Sequence, residues 1–150
     1  MTLKNHVMIS TGVTAILSIW MKSWPGLAAC FLSGIFIDLD HNLDYFIWRR
    51  EPPVSYRKLI DFLKNDHDAK LYLFLHSYEL LAALWLCIFY FDLNTVWVGM
   101  AAGLTVHMAC DEIYNPLGPL AYFFTYRVSK GFCRRKLFKK GYFGSYHADD

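Results

Sequence analysis

The stretch Gly34-Ile-Phe-Ile-Asp38-Leu-Asp40-His41-Asn-Leu-Asp44 is the one from which the fold is best predicted. It passes from apolar residues directly into a cluster of carboxylates and one imidazole. If the stretch is helical, Asp38 and His41 share one face, and Asp40 and Asp44 share a neighbouring one. Charge placed beside so apolar a segment costs free energy unless it is compensated. The pattern therefore favours a bound metal ion.

The composition is that of an apolar chain of single-domain length. The 150 residues are 55% hydrophobic, 18% aromatic and 19% charged, whereas soluble domains carry about 25% charged residues. A net charge of +2 is too small to indicate nucleic acid, so we predict no nucleic-acid partner. The 4 cysteines form no C-x-x-C pair, which argues against a zinc knuckle or a thioredoxin-type motif.

Apolar segments alternate with polar connections along the chain. Pro25-Gly26 ends the first segment, a mixed-charge loop follows the second, and Asp92-Leu-Asn94 forms a turn after the third. The segments cover approximately residues 7–21, 27–37, 71–91 and 96–111. We predict an all-α, up-down-up-down four-helix bundle within residues 1–128, followed by a basic, aromatic C-terminal tail over residues 129–150.

Segment length and charge distribution predict that this bundle is embedded in a membrane. A helix needs about 20 apolar residues to cross a bilayer core, and the third and fourth segments approach that length. Of the 15 Lys and Arg residues, all except Lys22 fall on one side of the predicted bundle. Positively charged loops stay cytoplasmic, so we expect the termini and the polar site on the cytoplasmic side. The alternative is a soluble bundle with unusually apolar helices.

Titratable residues lie at the ends of the segments that such a bundle brings together. His107 and Asp111 are four residues apart on one helical face, a common way for a helix to supply two metal ligands. Each histidine taken alone also fits a buried structural residue. The convergence of several segments is the stronger indication, and the residues concerned are His6, Asp38, Asp40, His41, Asp44, His76, Glu79, His107 and Asp111.

These residues resemble a known family, the bacterial inner-membrane metal-dependent hydrolases that include the LexA-regulated hydrolases. The resemblance covers about residues 4–116, in order and in spacing, although Leu71 stands where the family has a further histidine and Leu75 stands where it has a threonine. The matching motifs are His6, Asp38-Leu-Asp40-His41, Leu75-His76-Ser77 and Gly103-Leu-Thr-Val-His107-Met-Ala-Cys-Asp111. The family is distantly similar to the all-helical zinc-dependent phospholipase C and P1-type nuclease fold, which implies phosphodiester hydrolysis.

The resemblance implies a multi-pass protein of the bacterial cytoplasmic (inner) membrane. We expect it to be a membrane-bound metal-dependent hydrolase that acts on a phosphoester or lipid-like substrate through a metal-activated water. A metal ion lowers the pKa of such a water to about 7. Its partners would be membrane lipid and a small-molecule or lipid phosphoester.

The expected site combines nitrogen and oxygen ligands, a set that suits zinc. Glu79 or Asp40 is expected to act as the general base. The expected metal ligands are His6, Asp38, His41, His76, His107 and Asp111.

A second hypothesis is a non-catalytic membrane protein in which the same residues hold a structural metal or form a polar network between helices. A transporter is disfavoured because the polar groups gather at one end of the segments. The catalytic and structural hypotheses differ in whether the metal keeps an open coordination position.

Overall fold

The computed structural model describes residues 3–52, 55–66, 68–139 and 142. Within these ranges the chain is helical, with isolated β-bridges but no strand, so the all-α prediction is confirmed. A 3-10 helix covers Pro119–Tyr122. The α-helices are α1 (Leu3–Leu17), α2 (Trp24–Phe36), α3 (Leu39–Arg49), α4 (Tyr56–Asn65), α5 (Tyr78–Phe91), α6 (Thr95–Tyr114), α7 (Phe124–Ser129) and α8 (Arg134–Leu137).

Packing divides the chain into two compact units. Unit 1 comprises Met1–Asp38 and Leu75–Asn115, and it contains α1, α2, α5 and α6. Unit 2 comprises Leu39–Phe74 and Pro116–Asp150, and it contains the remaining helices. The division expected from the sequence, into residues 1–128 and 129–150, is a different one and stays a prediction.

Helices α2 and α6 run parallel in unit 1 and approach each other backbone to backbone. A Cβ added to Gly99 would overlap the carbonyl oxygen of Gly26, and one added to Gly103 would overlap that of Cys30. A step from Gly26 to Cys30 along α2 corresponds to a step from Gly99 to Gly103 along α6, in the same chain direction. The two helices therefore run parallel. Only glycine permits so short a separation, and this contact brings the C-terminal ends of the two helices together.

Helices α5 and α6 run antiparallel and are joined by two side-chain hydrogen bonds. The Tyr78 hydroxyl donates to Oε2 of Glu112 at 2.5 Å, and the indole N–H of Trp85 donates to the hydroxyl of Thr105 at 3.1 Å. Because the first bond joins the start of α5 to the end of α6, the N-terminus of α5 lies beside the C-terminus of α6.

No helix in the described ranges combines the length and the apolar character needed to cross a membrane. Helices α1, α2 and α5 have 15, 13 and 14 residues, short of the roughly 20 that a bilayer core requires. Helix α6 has 20 residues but carries His107, Asp111 and Glu112 in its C-terminal half. The predicted membrane-embedded bundle is therefore wrong, and so are the transmembrane helices and the multi-pass inner-membrane placement, with its cytoplasmic termini and site.

The third apolar segment, residues 71–91, is not one continuous helix, which is why its length did not predict a membrane-spanning helix. Helix α5 begins only at Tyr78, after Ser77 caps it by accepting a hydrogen bond from the Leu80 N–H. The preceding apolar residues are not helical, and Leu73 has a left-handed φ of 46°. A residue with a left-handed φ cannot continue a right-handed α-helix. One apolar run in the sequence therefore becomes an irregular segment followed by a short helix.

Unit 2 has its own core and two buried arginines. Tyr45, Leu59, Phe62 and Ala69 form its hydrophobic cluster. Arg127 donates to the carbonyl oxygens of Ala121 and Leu73, and Arg134 donates to those of Phe62, Leu63 and Asp66 at the end of α4. A cation is favourable at that position because the helix C-terminus carries partial negative charge.

Candidate metal centre

Five of the predicted site residues meet within unit 1. Two helices supply three of them, and the other two lie in the short segments that follow α2 and precede α5. Four of the five are buried, and Asp38 keeps 26% of its side-chain surface exposed. We call this group the five-residue cluster; its members are His6, Asp38, His76, His107 and Asp111.

Each imidazole Nε2 of the cluster faces both carboxylates. The distances to the nearer oxygen of Asp38 are 3.5 Å from His6, 3.7 Å from His76 and 3.4 Å from His107. The corresponding distances to Asp111 are 3.4, 3.6 and 3.3 Å. A zinc ion binds nitrogen and oxygen at about 2.0–2.2 Å, so tetrahedral angles place neighbouring ligand atoms roughly 3.4 Å apart. For His6, Asp38, His107 and Asp111, the observed spacing fits ligands arranged around one shared ion.

The backbone of α2 fixes the orientation of His107. Its Nδ1 lies 2.8 Å from the carbonyl oxygen of Gly34. A carbonyl oxygen can only accept, so Nδ1 carries the proton and Nε2 is left as the ligand atom. The ring of His6 stacks on that of His107 with centroids 4.1 Å apart and planes inclined by 13°. The contact between Nδ1 of His107 and the Gly34 carbonyl group is one that metal-ligating histidines commonly make with their other ring nitrogen.

The charges of the cluster are coupled in the metal-free protein. Burial lowers the pKa of His107, but its hydrogen bonds and proximity to Asp111 and Asp38 outweigh burial and raise that pKa to about 9. Burial raises the pKa of Asp111, but interaction with His107 and His76 outweighs it and lowers that pKa. The pKa of His6 is lowered, chiefly by burial. A cation that binds Nε2 of His107 would compete with a proton for that nitrogen.

Glu79, predicted as a general base, lies in the first turn of α5 close to His76 in sequence. The hydroxyl of Ser77 donates to Oε2 of Glu79 at 2.8 Å and accepts from the N–H of Leu80 at 3.2 Å. A carboxylate in the first turn of a helix is also favoured by the helix dipole. These contacts account for Glu79 as a residue that supports the Ser77 cap, and its role as a base stays a prediction.

Asp40, His41 and Asp44 lie on α3, in unit 2, whereas the five-residue cluster lies in unit 1. The carboxylate of Asp44 is fully buried and accepts hydrogen bonds from the backbone N–H groups of Tyr72 and Leu73. Asp44 is thus a structural residue of unit 2. Asp40 is buried, whereas His41 is partly exposed, and their roles as base and metal ligand stay predictions.

Two features of the site were not recognised in the sequence. One is the carbonyl oxygen of Gly34, which no side-chain pattern reveals. The other is the hydrogen bond between Tyr78 and Glu112, which lie next to the cluster residues in sequence. Burial and Glu112 raise the pKa of the Tyr78 phenol. The sequence feature that could have identified Glu112 is its position directly after Asp111.

Comparison of the chain with protein-family models, curated proteins and solved structures finds no match. The resemblance to the membrane hydrolase family rests on the motif residues alone and stays a prediction. What the protein does must therefore be argued from the chemistry of the five-residue cluster.

Proposed function

We propose that this protein is a metal-dependent hydrolase that uses the five-residue cluster to hold a divalent ion and acts on a phosphoester. One observation carries the proposal: three Nε2 atoms and two carboxylates from separate parts of unit 1 converge with N···O separations of 3.3–3.7 Å. Of these residues, His6, Asp38, His107 and Asp111 each offer one ligand atom, and these atoms all lie within 4.8 Å of one another.

The donor set fits a divalent transition metal. Three imidazoles contribute no charge in their ligating form, and the two carboxylates contribute a formal charge that a divalent ion neutralises. Mixed nitrogen and oxygen ligands suit zinc, manganese or iron, and zinc is the first choice because tetrahedral spacing matches the distances. His6, Asp38, His107 and Asp111 form a group of ligand atoms that all lie within 4.8 Å of one another.

The exposure of Asp38 indicates how a substrate would reach the site. The other members of the cluster are buried, so solvent and substrate reach it from the side of this carboxylate. A divalent ion bound there would polarise a phosphoryl oxygen and lower the pKa of a coordinated water. His107, held by Gly34, would keep its Nε2 directed at the ion, and Glu79 is the proposed acceptor of the proton that the water gives up.

A structural metal site is the second candidate, and the burial of four of the five ligands favours it. A closed zinc site needs only four ligands. The side chain of Asp38 keeps 26% of its surface exposed, which supports a site that exchanges with solvent. We therefore rank the hydrolase first.

Hydrolysis of chromogenic phosphomonoesters and phosphodiesters by the zinc-loaded protein tests the proposal. We expect turnover that is lost in Asp38→Asn and restored in the wild type by re-addition of zinc after chelation. Asp61→Asn, which removes an exposed carboxylate from α4, is the matched control and should retain activity. A wild-type protein that binds zinc but hydrolyses none of these substrates would favour the structural alternative.

A further inference from the structure

The two hydrogen bonds between α5 and α6 are equivalent in register. Tyr78 and Trp85 lie seven residues apart on α5, and Thr105 and Glu112 lie seven residues apart on α6. Seven residues make about two helical turns and a rise of roughly 10 Å. The Tyr78–Glu112 and Trp85–Thr105 bonds therefore lie on the same faces of one antiparallel helix pair. We call them the first and the second rung of this pair.

The rungs differ in their relation to the five-residue cluster. Tyr78 lies two residues after His76, and Glu112 directly follows Asp111. The Trp85–Thr105 rung lies two turns further from His76 along α5. Of these two hydrogen bonds, the one between Tyr78 and Glu112 is therefore nearer in sequence to His76 and Asp111.

His76 is not part of a helix, so its position depends on the helix that begins directly after it, which the Tyr78–Glu112 bond holds against α6. It precedes Ser77, the N-cap of α5, so its position follows from where the first turn of α5 is held. Its Nε2 lies 3.6 Å from Oδ2 of Asp111, at the end of α6. A phenol that donates to a carboxylate forms a short and strong hydrogen bond. The Tyr78 hydroxyl lies within hydrogen-bond distance of Oε2 of Glu112.

We propose that Tyr78 and Glu112 are positioning residues that set the geometry with which His76 and Asp111 meet the metal ion. The inference rests on the proposed function, because it requires that the cluster binds a metal. The pair does not itself bind the ion. It fixes the separation between two ligands that come from different helices.

The experiment compares zinc affinity and the visible spectrum of the cobalt-substituted protein in the wild type and in variants. Tyr78→Phe removes only the hydroxyl, and Glu112→Gln keeps the shape of the side chain while removing its charge. Thr105→Val is the matched control, because it breaks the other rung between the same helices. Glu112→Asp keeps the carboxylate and tests rescue.

We expect Tyr78→Phe and Glu112→Gln to lower zinc affinity by about 10- to 100-fold, the range typical of groups that orient metal ligands. Both should also change the intensity of the cobalt absorption bands, which report coordination geometry. Thr105→Val should leave both readouts as in the wild type, and Glu112→Asp should recover part of the affinity. The spectrum separates positioning from general destabilisation.

Two outcomes overturn the inference in distinguishable ways. In the first, the wild type binds the metal, and Tyr78→Phe and Glu112→Gln show the same affinity and the same spectrum as the wild type. This result would exclude the positioning role and leave the proposed function standing. Failure of the folded wild type to bind zinc or cobalt would overturn both. If Tyr78→Phe does not fold, Glu112→Gln and Glu112→Asp decide the question.

Discussion

His107 and Gly34 form the link between the helix scaffold and the candidate metal centre. The Nδ1 of His107 lies 2.8 Å from the carbonyl oxygen of Gly34, and this contact spans the parallel pair of α2 and α6. The same helix pair has glycine at its closest contacts, where any larger residue would overlap the facing backbone. The fold and the ligand geometry therefore depend on one helix–helix approach.

The first prediction concerns that approach. Gly103→Ala should destabilise the protein by about 1–3 kcal/mol, because its Cβ would overlap the backbone of Cys30 and force the helices apart. Gly12→Ala is the matched control on α1, where a Cβ would contact nothing within 4 Å. It should be neutral or stabilising by up to about 1 kcal/mol, since alanine favours helix. Chemical denaturation of both variants measures the difference, and equal stabilities would contradict the packing account.

A second prediction concerns the space at Gly34. A Cβ there would lie 2.5 Å from Oγ of Ser10 and 3.4 Å from its Cβ. Gly34→Ala should therefore weaken zinc binding by displacing either α1 or the carbonyl group that orients His107. Adding Ser10→Ala removes the closest atom and should restore much of the affinity. Titration with zinc checks both steps, and a double variant as weak as the single one would show that the Ser10 contact is not the cause.

The third prediction is a pH dependence of the metal-free protein. The folded-state pKa of His107 is raised from 6.5 to about 9, so the charged imidazole contributes stability that is present in full below pH 6.5 and is lost as the pH rises through 9. The contribution is about 3 kcal/mol, from about 1.4 kcal/mol for each pH unit. Denaturation in the presence of a chelator should show the wild type losing stability between pH 6.5 and 9.5.

His107→Gln is the control for this pH dependence, because glutamine does not titrate and the slope should be smaller. Zinc should invert the trend, since protons and the ion compete for the same nitrogen. Zinc affinity should therefore rise between pH 6.5 and 9. An equal slope in the wild type and His107→Gln would show that His107 is not responsible.

The fourth prediction concerns the buried arginine of unit 2. Arg134→Gln should cost several kcal/mol, about 2–4, because backbone carbonyl groups at the end of α4 lose a buried cationic donor. The neighbouring Arg135→Gln is the control, since the side chain of Arg135 is 55% exposed and pairs with an exposed Asp68. Exposed ion pairs contribute about 0–1 kcal/mol. Similar losses of thermal stability in both variants would contradict the assigned role of Arg134.

The cluster residues could be predicted from the sequence because each one is a titratable side chain that interrupts or ends an apolar segment. Burial of such residues is costly, so their positions carry information without any knowledge of the fold. His6, Asp38, His76, His107 and Asp111 were all found in this way, although they lie far apart in sequence.

Helix length and membrane character could not be predicted, because apolar composition does not distinguish a helix from a buried irregular segment. Leu71 and Leu73 read as part of a continuous apolar helix, but both are buried in unit 2 and precede the start of α5. A basic residue near the C-terminus likewise gives no sign in the sequence that it is buried. Arg134 is buried against carbonyl groups of residues more than 65 positions earlier in the chain.

The contacts around the cluster were also beyond sequence analysis. The roles of Gly34, Tyr78 and Glu112 depend on the register between helices, and nothing in their residue types sets them apart. Register is decided by packing of the whole unit. Between α2 and α6 it is set by the glycine contacts, and the side chains of Tyr78 and Glu112 meet between α5 and α6.

The most direct test of the account is the metal content of the purified protein after incubation with zinc and removal of excess ion, measured by mass spectrometry. The account predicts about one equivalent of bound zinc in the wild type and its loss in both His107→Ala and Asp111→Asn, with Asp61→Asn retaining it. A folded wild type that retains no zinc, manganese or iron under these conditions would contradict the central claim that the five-residue cluster is a metal centre.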